Sequence, residues 1–487
     1  MCWFWFPAKD VAPILSLLYR TSVDFDESDQ ESTSMKEFWI SLSSLVPVND
    51  SLIFNPAPVF CNELPTQFII RKSYVDIFQI ISDKVRDDVK LQGRGTSGFA
   101  ITGNLGIGKS VFLFYLMWRL RAQGVKTIVL HRAKDGSNIF VFSETGCFIF
   151  TDLNDVKRTY LYDKNTWYLT DTLPNGPCAV SAITVVVASP ARKHYKEFLK
   201  FWKSHPLLYL PVWNPSELLL ARKLYDVSAE DVETRFHLIG GIPRFVFDKF
   251  EDLDETIQFA VGRLSIEKFE MIVGGNLDKE DEISHLIIHY SITEKYKFAS
   301  VQFASEYVIA QTLEIFISHQ QSKLHSFLLA SEGEKLVASL RGNLFEAYAH
   351  RQLVKGGTFQ VRSLDNNVET TLFVPPLTMV PFKNIEDCVD VNVLYTAARK
   401  NYPCIDSLIP YVGLLQMTVS RSHGVKMVEL KKAVEDSNLK SLFFVVPHTR
   451  YIAYPKQNLL TTDSKVAKRT EPALNNLQQF VLSIDVQ

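Results

Sequence analysis

The chain has 487 residues, of which 46% are apolar, 12% aromatic and 22% charged, and its 52 basic and 54 acidic side chains leave a net charge of −2. That length exceeds one compact core and predicts about two to four globular units. The balanced charge excludes a global field drawing in nucleic acid, so such a partner needs a local basic face; no run approaches the roughly eighteen apolar residues of a membrane span.

Residues 1–66 open with MCWFWFPAKD, apolar for only six positions and without a basic leader, so no secretory signal is expected. The acidic stretch from Ser22 to Met35 reads as a mobile linker. From 67 to 250, β-branched runs alternate with helical patterns, the rhythm of a parallel α/β sheet. Residues 251–335 are mainly helical in pattern. From 336 to 487 the pattern runs helix, strands, helix and strand. The six cysteines, Cys2, Cys61, Cys147, Cys178, Cys388 and Cys404, are scattered without C-x-x-C or zinc spacing. They read as buried thiols of a protein working in a reducing compartment.

The most informative stretch is GNLGIGKS, Gly103 to Ser110. It satisfies G-x-x-x-x-G-K-[ST], a pattern expected by chance in roughly one chain in fifty of this length. A strand-like Phe99-Ala-Ile precedes it, and Val111-FLFYLMWRLRAQG, apolar nearly all round, follows as a buried helix. Glycines at 103, 106 and 108 let backbone N–H groups turn toward phosphate oxygens, and the helix N-terminus favours negative charge. Lys109 would neutralise the β- and γ-phosphates, and the Ser110 hydroxyl would ligate Mg²⁺. The expected cofactors are ATP or GTP with Mg²⁺.

Such a site also needs an acidic residue at the end of a neighbouring strand, and Thr166-Trp-Tyr-Leu-Thr-Asp171 offers Asp171 as the catalytic-site carboxylate that holds the magnesium shell. The alternative for Asp171 is a turn initiator before Leu173-Pro-Asn-Gly. Residue 172 is Thr where many such ATPases carry Glu, which implies slow hydrolysis or a base from elsewhere. The buried run Ala182 to Ser189 ends at Ser189, either a γ-phosphate sensor or a strand terminator. Arg244 follows Gly240-Gly241 and is either a second phosphate sensor or a surface charge.

The segments FIIRKSYVDIF, ITGNLGIGKSVFLFYLMWRL, TWYLTDTLP, VVVASPARKHYKEFLKFW, LPVWNPSELLLAR and GGIPRFVF, in this order, resemble the nucleotidase module of the Crinkler effector family and of the trypanosome retrotransposon hot spot proteins. The likeness runs from about residue 67 to the C-terminus. It implies an AAA/STAND-like P-loop NTPase with a parallel sheet and a helical segment, followed by a restriction-endonuclease-like α/β domain of the PD-(D/E)XK type. It further implies an effector acting in a host cell and often its nucleus, although this N-terminus lacks the family's usual header. Without export, a cytoplasmic or nuclear role in transposon or invader control is the alternative.

Residues 336–487 carry their own signals. Gly342-Asn-Leu-Phe-Glu-Ala-Tyr-Ala-His350 reads as a helix bearing Glu346, and Asp406 precedes the strand Tyr411 to Val419, with Gln416 and Thr418 on one face. In an endonuclease layout Asp406 is a metal ligand and Glu346 a helix carboxylate, or else an ordinary solvated glutamate. Gln416 and Thr418 stand where an acid and a lysine are expected. A glutamine carbonyl can ligate magnesium, but threonine cannot replace an ammonium. His423 and Lys426, expected at the start of a helix over Ser422–Glu435, are candidates to activate water or hold phosphate.

Lys426, Lys431, Lys432, Lys440, Lys465, Lys468 and Arg469 form either a DNA phosphate rim or a solvated face. No protein-kinase motif is present. Two functions follow. One is an NTPase coupled to a DNA-acting nuclease; the other is a nucleotide-dependent switch whose C-terminal module only binds DNA or protein. Expected partners are a nucleoside triphosphate, DNA and a homo-oligomer, with Arg192 as an arginine supplied in trans, and no membrane.

Overall fold

The computed structural model describes residues 30–61, 65–92, 98–173, 176–190, 195–201, 207–248, 252–267, 282–329, 335–397 and 404–486. Arg192 lies outside them, as does the opening apolar stretch. The chain divides into two compact units, Met1–Leu253 with Leu277–Ala299, and Asp254–Asn276 with Ser300–Gln487.

The first unit begins with helix α1 (Gln30–Ser41), strands β1 (Ser51–Ile53) and β2 (Gln67–Ile69), and helix α2 (Lys72–Gln92). Then come β3 (Gly98–Thr102), α3 (Lys109–Ala122), β4 (Ile128–Arg132), β5 (Ile139–Phe142), β6 (Cys147–Phe150), β7 (Trp167–Asp171), β8 (Ile183–Val187) and β9 (Leu207–Tyr209). Helices α4 (Pro215–Ala221), α5 (Ala229–Ile239) and α6 (Pro243–Phe247) follow.

Strands β3 to β9 form one sheet in the order β6-β5-β4-β7-β8-β3-β9. Its five strands from β4 to β9 are mutually parallel, and β5 and β6 extend it antiparallel. The run expected as a buried strand, β8, is buried at every position, and so is β7. Parallel strands covered on both faces demand such runs. Helix α3 is apolar all round for the same reason, with Phe112 through Met117 and Leu120 buried. The N-terminal segment packs Phe38 and Phe60 against Phe142 of β5 in tilted ring contacts.

The described part of 251–335 is mainly helical, with a strand pair that the sequence pattern did not show. Helices α7 (Leu253–Gly262), α8 (Glu282–Ile287), α9 (Glu306–His319) and α10 (Gln321–Leu329) are present, but β10 (Ile288–Ile292) and β11 (Phe298–Phe303) form a hairpin between them. Its turn closes through Thr293 N to the Lys297 carbonyl at 2.8 Å. Aromatic and β-branched residues on both arms favour paired strands over a third helix.

In the second unit, α11 (Lys335–Lys355) leads to β12 (Gly357–Ser363), β13 (Glu369–Val374), β14 (Thr378–Phe382), β15 (Val393–Ala397), β16 (Ser407–Ile409), β17 (Gly413–Met417), β18 (Val425–Lys426), α12 (Met427–Ser437), β19 (Ser441–Pro447), β20 (Leu459–Leu460) and β21 (Gln478–Ile484). Eight strands make one sheet, β13-β12-β21-β19-β17-β16-β15-β14. Strands β15, β16 and β17 are an antiparallel meander, and β17, β19 and β21 are parallel. Leu414, Leu442, Phe444 and Val446 meet Leu430 and Val434 of α12 in the core. The helix expected from Ser422 starts only at Met427. Residues before it pair instead as β18 with β20, and a side chain at Gly424 would lie 2.7 Å from Leu460 Cδ1.

Candidate functional site

Strand β3 stops at Thr102, whose carbonyl accepts from Leu210 N at 2.8 Å and whose hydroxyl donates to the Ala188 carbonyl at 3.1 Å. The chain then turns through Gly103 to Gly108 into α3. Gly106 and Gly108 hold φ of 75° and 95°, backbone that side chains rarely adopt. Close approach adds a second reason, since a Cβ at Gly108 would lie 2.5 Å from the Tyr74 hydroxyl oxygen and one at Gly106 2.6 Å from Arg244 Cβ. Gly108 caps α3 without a side-chain hydrogen bond, which leaves the first-turn amides to other acceptors. Lys109 Nζ donates to the carbonyls of Gly103 at 2.9 Å and Asn104 at 2.7 Å, so its ammonium spans the start of the loop.

The outside of the loop is fastened at three places. Tyr74 of α2 donates its hydroxyl to the Gly108 carbonyl at 2.8 Å, and Trp213 Nε1 donates to the Ile107 carbonyl at 3.0 Å. Asn104 is buried and faces away from the loop mouth. Its amide donates to the Ile288 carbonyl at 2.8 Å, its oxygen accepts from Tyr290 N at 3.0 Å, and His285 Nδ1 lies 3.2 Å from its Nδ2. Behind Trp213, Arg71 is fully buried, donates to Glu217 at 2.9 Å and stacks over the indole at 4.8 Å. Arg244, on α6, is exposed and lies against Gly106.

Sheet register aligns the acidic edge with this loop. Ile101 of β3 faces Val187, Val187 faces Asp171, and Asp171 faces Arg132. Two strand spacings, about 10 Å, therefore separate the base of the loop from Asp171. Asp171 is 5% exposed. Its Oδ1 accepts from the Thr172 hydroxyl at 2.8 Å, while Oδ2 has no hydrogen bond and stands 3.7 Å from Arg132 Nε. Thr172 holds φ at 50°, a rare conformation for a β-branched residue. Ser189, two positions beyond Val187, is buried at the same edge. Gly103, Gly106, Gly108, Lys109 and Ser110 thus share one strand-to-helix junction, with Arg244 beside it. Sequence reasoning missed Arg132, because nothing in His131-Arg-Ala marks it until strand pairing sets it next to Asp171.

A second cluster lies in the other unit. Asp406 Oδ2 accepts from Met417 N at 2.6 Å and from Gln416 Nε2 at 3.0 Å. Gln416 Oε1 is buried without a hydrogen bond. Burial, then the negative charges of Asp406 and Glu306, push the Glu346 carboxyl up to about 8. Burial likewise raises Asp406 to about 7, against the two hydrogen bonds that favour its charge. Two carboxylates and an amide oxygen without a hydrogen bond therefore gather, an arrangement suited to a proton or a hard cation.

Thr418 is buried, and its hydroxyl oxygen accepts from Ser420 N at 3.1 Å. His423 lies in the loop before β18, with its backbone N donating to Gln457 Oε1, and burial lowers its pKa. It is not at a helix start beside Lys426, because α12 begins later. His350, one turn beyond Glu346, went unnoticed in the sequence; it is buried, Nε2 has no hydrogen bond, and its pKa is pushed down to about 4. Of the basic residues, Lys432, Lys440, Lys465, Lys468 and Arg469 are exposed, and Lys431 pairs with Glu471 at 3.2 Å.

No family model matches the chain. Crinkler effector proteins 15 and 16 of Phytophthora infestans each align with it at 26% identity over 441 residues, 86% of this chain. The chain resembles Crinkler effectors over most of its length. It spans about two thirds of those relatives, 67% and 66% of their lengths. A solved structure, that of Drosophila ORC bound to DNA, aligns with 76% of this chain and 97% of its own at 11% identity and a TM-score of 0.26, which carries no argument. No described helix is long and apolar enough to cross a membrane. The described cysteines are free thiols, buried except for the half-buried Cys178.

Proposed function

We propose that the first unit is a P-loop nucleoside triphosphatase binding ATP or GTP with Mg²⁺, and that the second is an endonuclease-like module acting on DNA. The observation that carries the first half is the Lys109 ammonium bridging the first two loop carbonyls, above glycines in left-handed backbone, at the end of a central parallel strand. The loop amides and the start of α3 would hold the phosphates, Lys109 would offset their charge, and Arg244 would approach from α6. Magnesium, when bound, would neutralise the polyphosphate and orient it. The residues fit it: Ser110 offers a hydroxyl in the first helical turn, and Asp171 Oδ2 is a buried acceptor without a hydrogen bond. Thr172 stands where a glutamate would orient water, which supports slow turnover.

In the second unit, Asp406, Glu346 and Gln416 Oε1 supply oxygen ligands of the kind Mg²⁺ takes, and the exposed lysines supply phosphate contacts. One observation favours the alternative of a binding-only module: Thr418, where an ammonium is expected, is buried with its hydroxyl oxygen engaged by Ser420 N. From the relatives' names we further propose an effector role inside a host cell. The test uses the full chain with ATP or GTP, Mg²⁺ and plasmid. Lys109→Ala should abolish binding of a fluorescent nucleotide and phosphate release, and Asp406→Asn should abolish nicking while leaving phosphate release intact. Phosphate release without nicking in the wild-type protein supports the binding-only module; no nucleotide binding by the wild type overturns the triphosphatase.

A further inference from the structure

We infer that Arg132 is a positioning residue, whose guanidinium holds Asp171 ready for the magnesium–nucleotide complex; this rests on the triphosphatase reading above. Parallel pairing of β4 with β7 sets the two residues side by side at the loop edge of the sheet. Arg132 is 1% exposed, and its guanidinium carbon lies 5.8 Å from the ring of Phe114, on the helix that begins at the loop. Its Nε stands 3.7 Å from Asp171 Oδ2 and 3.6 Å from Asp135 Oδ2.

Both separations are ion pairs longer than a hydrogen bond, so the contact acts on Asp171 through charge more than direction. Cys61 also faces Arg132 and Asp135, and burial followed by the Asp135 charge pushes its thiol pKa up, so it adds no charge of its own. One guanidinium thus faces two carboxylates in a desolvated place. A buried carboxylate with no counter-charge is strongly disfavoured, and Arg132 supplies that counter-charge. Asp135 shares the same Nε, so Arg132 is not committed to Asp171 alone. Asp171 Oδ2 is left without a hydrogen bond, while Oδ1 is held by Thr172. The cluster therefore fixes the acid in position without consuming the oxygen that the metal's hydration shell needs.

Binding of a fluorescent ATP analogue, measured with Mg²⁺ and with EDTA, tests this without relying on turnover. The wild-type protein should bind more tightly with Mg²⁺. Arg132→Gln keeps a hydrogen-bonding side chain but loses the charge; it should reduce the Mg²⁺-dependent gain about tenfold, the loss expected for one buried charge contact, with EDTA binding unchanged. Arg132→Lys should restore most of the gain. Should Arg132→Gln fail to fold by circular dichroism, Arg132→Gln/Asp135→Asn removes one cation and one anion, leaves the net charge unchanged and should lose the gain in the same way. An undiminished gain in the folded neutral variant overturns the inference, as does equal loss of binding in Mg²⁺ and EDTA. Failure of the wild-type protein to bind nucleotide under either condition overturns the underlying reading instead.

Discussion

Asn104 Nδ2 donates to the Ile288 carbonyl at 2.8 Å, tying the second residue of the glycine loop to a strand 184 residues further along the chain. The same side chain accepts from Tyr290 N, so both ends of one amide are used. The loop is therefore braced from behind by β10, which runs through the hairpin into β11. A displacement of the Asn104 side chain would break these two hydrogen bonds or carry β10 with it.

Asn104→Ala removes that brace and leaves the Tyr290 amide without its partner. A buried group left unsatisfied costs about 1–3 kcal/mol, so the melting temperature should fall. Nucleotide affinity should drop about tenfold, since the loop loses its preorganised shape. Thermal unfolding and a fluorescent-nucleotide titration check the two effects separately. Unchanged affinity with a lower melting temperature would confine Asn104 to stability.

Gly106→Ala adds a methyl where φ is 75° and where Arg244 Cβ would be 2.6 Å away. Left-handed backbone alone costs about 1 kcal/mol, and α6 must also move. Nucleotide binding should weaken, and Arg244→Ala in the same background should add little further loss. Full additivity of the two variants would show that Arg244 does not act through its contact with the loop.

The carboxylate pair makes stability depend on pH in the unusual direction. Glu346 and Asp406 are raised in the folded chain to about 8 and about 7, so the native state holds protons that the unfolded state has released. Their contribution is complete below the ordinary carboxylate range and is lost as pH rises through those values. At pH 8 without divalent cations, Glu346→Gln should therefore raise the melting temperature by about 2–4 °C, allowing for solvent screening of this half-buried group. Mn²⁺ should stabilise the wild-type protein and not the variant. Calorimetry at pH 5 and pH 8, with and without Mn²⁺, reads all four conditions.

His289 behaves oppositely. Burial in β10 pushes its pKa down to about 4, with the His285 backbone acting the other way. The unfolded chain takes up the proton first, so stability is present above about 6.5 and lost as pH falls toward 4. The loss is on the order of 2–3 kcal/mol. His289→Asn keeps a donor for the His285 carbonyl and should flatten the acid limb of a denaturation series. An unchanged acid limb would place the acid sensitivity elsewhere.

Local sequence by itself determined the loop, its flanking elements and the buried strands. Backbone freedom at Gly103, Gly106 and Gly108, the apolar surround of α3, and the runs ending at Asp171 and Val187 are all short-range properties, readable from neighbours along the chain. The hairpin β10–β11 and the late start of α12 were not legible in the same way, because pairing with a distant strand outweighs helical pattern over so few residues. What only the tertiary structure decided is which side chains share a place. Strand register puts Arg132 beside Asp171, α6 brings Arg244 against Gly106, and the approach of α11 to the meander gathers Glu346 with Asp406. Charge pairing and desolvation depend on distance in space, and that distance is set only when the sheets close.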